Sequence, residues 1–131
     1  MSQFYIMEGN KVKQVDDYHT WALWMGKNDR SIKRTELFPD IGKIKDWKSF
    51  GASMKEASNK ACCVSTVFLG LDHNHYGGRP ILFESMVFGG KHDLNQYRYH
   101  TIEEAIEGHE QMCMFAQESM NEEMSESIGV L

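Results

Sequence analysis

The chain has 131 residues, enough for one domain with a core of its own. Hydrophobic residues make up 41% and charged residues 25%, with two prolines, which excludes collagen-like and wholly disordered classes. Net charge is −5, so general nucleic-acid binding, which depends on phosphate neutralisation, is not expected.

No apolar run approaches the length of a membrane span. Met1–Asn10 has neither the basic start nor the apolar stretch of a secretory leader. The cysteines are Cys62, Cys63 and Cys113, an odd number with two adjacent, so reduced, buried thiols in a cytoplasmic protein are expected. Charge is lopsided. Residues 1–60 carry 11 Lys/Arg against 8 Asp/Glu, and 61–131 carry 3 against 11. A basic and an acidic face can meet within one chain or between copies.

In chain order, Gln3–Met7 and Lys11–Val15 alternate around Glu8-Gly9-Asn10 and predict a β-hairpin. Asp16 or Asp17 then caps a helix ending near Gly26, with Tyr18, Trp21 and Met25 on one face and Trp24 beside them. Segment 27–60 holds nine Lys/Arg and reads as a loop-rich basic excursion, with Ile44, Trp47, Met54 and Ala57 at loosely helical spacing. The β-rich stretches 62–71 and 81–88 form a hairpin around Asp72–Pro80. Both are apolar on both faces, so they belong in the middle of a sheet or under a helix or second subunit. Gln96–His100 predicts a further short strand. Thr101-Ile-Glu-Glu is a capping box that opens the last helix, with Ile102, Ile106, His109, Cys113 and Ala116 on its apolar stripe. Glu122, Glu123 and Glu126 oppose the helix dipole, so 119–131 is expected to be a frayed acidic tail. The expected fold is α+β in a single domain over 1–131: an antiparallel sheet of four to five strands with two helices packed mainly on one face.

Segment 64–112 contains Ser65–His73, Gly77–Pro80, Phe83–Gly89, Tyr99–Thr101 and Gly108–Glu110. These pieces resemble small uncharacterised bacteriophage and prophage proteins with an STVFLGLDH, ETMVFG, YxT and GHE pattern. Ser85 departs from the threonine of that pattern, and the 27–60 segment looks longer than usual. The resemblance implies phage origin and residence in a host cytoplasm. It implies no activity.

Two constellations carry candidate chemistry. Asp72, His73 and His75 cluster in one loop, and His100 returns beside them if 96–100 pairs antiparallel with 81–88. Imidazole and carboxylate ligands suit zinc, so a metal-dependent hydrolase is one reading. The other is that Asp72 caps the turn, His73 packs beside the sheet and His75 faces solvent. Lys91-His92-Asp93 lies at the opposite end of the hairpin, about 25 Å away, and cannot join such a set. The run Tyr76-Gly77-Gly78-Arg79-Pro80 can offer amides and a guanidinium to a phosphate, but a strand follows it where a P-loop has a helix. Glu84 lies on a strand face with Leu82, Met86 and Phe88, and needs a partner such as Arg79 or Arg98. No Ser/His/Asp set or activated cysteine stands out.

The leading expectation is therefore a non-enzymatic accessory binding protein. It would need no cofactor and would hold a host protein or a small nucleotide through Tyr76, Arg79, Arg98 and the basic 27–60 stretch. Inhibition of a host defence system is the expected consequence, and the greasy central hairpin suggests a homo-oligomer.

Overall fold

The computed structural model describes residues 3–40 and 61–128, the last four of these as helix backbone. The first unit is a two-stranded ribbon of β1 (Phe4–Glu8) and β2 (Lys11–Val15), with Phe4 opposite Val15 and Glu8 opposite Lys11. Its loop is Gly9-Asn10, and Gly9 has φ +63°, which a side chain would disfavour. Helix α1 (Tyr18–Lys27) follows. Asp17 caps it by accepting from the amides of His19 and Thr20.

The second unit is a four-stranded antiparallel meander of β3 (Ser31–Leu37), β4 (Cys62–Phe68), β5 (Phe83–Phe88) and β6 (Gln96–Tyr99), ordered β3-β4-β5-β6. The two greasy strands are central, as their double-sided apolarity requires. Helix α2 (Ile102–Ile128) lies against all four strands. Val64, Thr66 and Phe68 of β4 and Phe83, Ser85 and Val87 of β5 face it and are buried. Around them sit two apolar clusters. One joins Cys62, Val64 and Val87 to Met112, Ala116 and Met120. The other joins Phe68, Leu82 and Phe83 to Ile102 and Ala105, with Trp24 of α1 at its edge.

The α+β class is thus established, with both helices packed against sheet. The four-stranded antiparallel sheet falls within the expected four to five strands, and the ribbon is a separate two-stranded unit bridged to it at Phe4 and Leu71. Within the loop-rich 27–60 excursion, Ser31–Leu37 is edge strand β3. Its Lys33, Arg34 and Glu36 sit comfortably there, since edge strands tolerate charge on both faces. The helical spacing over 44–57 falls outside the described residues. One expectation needs correction: the acidic tail, expected to fray from 119, is helical as far as Ile128. Met112, Ala116, Met120 and Met124 continue one buried stripe. Burying a methionine contributes about 1.5–3 kcal/mol, more than the few tenths to about 1 kcal/mol that each badly placed glutamate costs. The stripe itself runs through Ile102, Ala105, His109, Met112 and Ala116, and Ile106 is exposed.

Candidate functional site

The expected binding residues do not converge. Tyr76 projects fully into solvent from the 72–80 loop. Arg79 leans 3.6 Å from Glu104 at the start of α2, on the helix side. Arg98 lies on the opposite sheet face, where its Nε donates to Glu84 at 2.9 Å. That bond answers the question Glu84 raised: a mostly buried carboxylate is held by the guanidinium of the neighbouring strand.

The histidine loop is held by its own turn chemistry. Asp72 Oδ1 accepts from the amides of Asn74 and Ile81, at 2.8 and 3.0 Å. His73 Nδ1 donates to the Leu71 carbonyl, and His100 Nδ1 to the Pro80 carbonyl. β6 does bring His100 back to the Asp72 end of the sheet, as expected. His75 points to solvent. Among the described residues no three His, Cys, Asp or Glu side chains are arranged to hold one metal ion.

His109 and the cysteines are largely enclosed. His109 is fully buried, its Nδ1 bonded to Thr66 and its Nε2 to Thr35 at 2.7 and 2.8 Å. Thr66 in turn bonds Ser85. Burial pushes the His109 imidazole below its usual value, and the Lys33 ammonium adds to the effect. Burial raises the thiols of Cys62, Cys63 and Cys113, which keeps them protonated at neutral pH.

A concavity lies elsewhere. A cleft of about 430 Å³ opens between β6 and α2. Tyr97 and Tyr99 wall it from the strand, and Gln111, Met112 and Phe115 from the helix. His92 and Asn95 close one end from the 89–95 turn. Local structure explains the shape. Tyr97 and Tyr99 are two apart on a strand and so share its helix-facing side. Gly108 on α2 carries no side chain, and a Cβ there would collide with the hydroxyl end of the Tyr99 ring. The glycine therefore lets Tyr99 approach the helix closely as the cleft floor. His92 is fixed by Ser119, bonded to its Nε2 at 3.0 Å, and by the Phe115 ring with centroids 4.5 Å apart.

None of these lining residues was singled out as a binding group from sequence. Phe115 is 55% exposed. The available signal was the Tyr-x-Tyr alternation on a strand next to a glycine inside the facing helix. The chain matches no protein-family model, no curated protein and no solved structure.

Proposed function

We propose that the protein is a non-enzymatic binding module of the phage accessory kind, acting in a host cytoplasm by holding a partner without converting it. The observation that carries this reading is the β6–α2 cleft. Rings, two carboxamides and the His92 imidazole line it; the rings and amides supply stacking and hydrogen bonds, and His92 is tied through Nε2 to Ser119. Four groups with reactive potential are committed elsewhere: His109 to two threonines, Glu84 to Arg98, and His73 and His100 to backbone carbonyls. A small ligand suits a cleft of this size. Sequestering such a ligand, or masking a host protein, would blunt a host defence.

Native mass spectrometry of protein purified from infected cells tests the reading. The expected result is a bound mass that leaves chemically unchanged and is lost when Tyr97 and Phe115 are both replaced by alanine. Near-stoichiometric zinc or manganese that disappears on His73→Ala would instead favour the metal-hydrolase alternative.

A further inference from the structure

We propose that the β6–α2 cleft binds a single uncharged nitrogen heterocycle of the nucleobase class, presented as a nucleoside. This rests on the binding-module reading and names the ligand of that same site. Four ring-bearing side chains surround the cleft: His92, Tyr97, Tyr99 and Phe115. Tyr97 and Phe115 expose 66% and 55% of their surface, on opposite walls. Exposed rings on facing walls offer a stacking surface for a flat ligand.

The polar groups narrow the class. Asn95 and Gln111 each carry a donor and an acceptor, the complement of a base edge. Neither side-chain amide has a hydrogen-bond partner among the described residues. Among the described residues no Lys, Arg, Asp or Glu lines the cleft, so none of them offers a counter-charge to a phosphate or an ammonium there. The ligand that fits is planar, neutral and rich in hydrogen-bonding nitrogens.

The cleft is also built in advance. Ser119 and Phe115 hold His92, and Gly108 seats Tyr99. The turn that carries Asn95 runs through Leu94 at φ +68°, the described non-glycine residue with a left-handed backbone. The turn's own backbone bonds hold that conformation, Leu94 N–H donating to the Val87 carbonyl at 2.7 Å and Asn95 N–H to the His92 carbonyl at 3.0 Å, so Asn95 is carried on a hydrogen-bonded hairpin loop. Fixed walls lower the ordering cost of binding.

Isothermal titration with adenosine, guanosine, cytidine and uridine, and separately with their 5′-monophosphates, tests the proposal. At least one nucleoside should saturate the wild-type protein, and its monophosphate should bind no more tightly. Tyr97→Ala and Phe115→Ala should each weaken binding about tenfold or more while the far-ultraviolet circular dichroism stays unchanged. Arg79→Ala should leave affinity as it was. The proposal is overturned if no nucleoside saturates at about 1 mM, if the monophosphate binds tenfold tighter, or if the alanine variants bind normally. It is also overturned if sedimentation shows a dimer that Phe115→Ala dissociates, since a second copy then covers the cleft. A co-purifying mass lost with Tyr97 and Phe115, but no nucleoside binding, sinks the ligand class and leaves the binding-module reading standing.

Discussion

His109 is a fully buried imidazole, and each of its ring nitrogens has one hydroxyl partner. The neutral form matches that arrangement with one donor and one acceptor. Burial, and then Lys33, disfavour the charged form, while Glu110 pulls weakly the other way. The folded pKa therefore lies below the unfolded value of about 6.5. Below that pH the unfolded chain binds a proton that the folded chain refuses. His109 thus contributes stability that is intact above about pH 6.5 and declines as the pH falls toward the folded pKa. Urea midpoints should drop between pH 7.5 and pH 5, and the drop should shrink in His109→Gln. An equal drop in both proteins would remove His109 from the account. His109→Ala should cost about 2–4 kcal/mol, because it leaves a cavity and strands two threonine hydroxyls. Leu94 is the opposite case: exposed, and held at φ +68°. Asparagine tolerates that region better, so Leu94→Asn should raise stability by up to about 1 kcal/mol, read as a higher urea midpoint.

At the scale of elements, α2 shows what the sequence made legible and what it hid. Its start was readable because a capping box is local chemistry: the Glu104 amide donates to Thr101 Oγ1 at 3.1 Å, and the Thr101 hydroxyl donates to the Glu104 carboxylate. Its end was not, because charge at the terminus argued for fraying while the methionines that hold it act through tertiary burial. The same split explains β3. Its lysine and arginine read as loop until β4 is beside it, and only then does Thr35 meet His109 and Lys33 pair with Glu110. The cleft was hidden for a related reason, since a tyrosine on a strand and a phenylalanine on a helix each look like core in isolation. Two substitutions test this picture of α2. Met124→Ala should cost about 2 kcal/mol in chemical denaturation, whereas a frayed tail would feel almost nothing. Gly108→Ala gains about 1 kcal/mol of helix propensity but drives a methyl into Tyr99. It should destabilise on balance and displace Tyr99 from the cleft floor, visible as a changed tyrosine resonance.

Across the whole molecule, the ribbon and α1 hang on the sheet by a narrow seam. The Gly70 carbonyl accepts from both the Tyr5 amide and the Trp21 indole, at 2.9 and 3.0 Å. Asp72 N donates to the Gln3 carbonyl, and Trp24 meets Phe68 edge to face at 5.7 Å. No residue of α1 is fully buried. Its rings instead pack on the ribbon, with Phe4 against Tyr18 and Trp21. The sheet and α2, by contrast, enclose nearly all of the buried core. Opening free energy follows buried apolar contact, so the first 27 residues should open before the rest. Gly70 is the weak point of the seam. Its φ is +78°, and a Cβ would lie 2.7 Å from Met25 Sδ. In native-state hydrogen exchange, amides of β1 and α1 should therefore exchange at lower denaturant than those of β4 and β5. Gly70→Ala should widen that gap by loosening the ribbon while the central strands keep their protection. If all four elements exchange together through global unfolding, the seam is as strong as the core, and the ribbon must be counted as part of one cooperative unit.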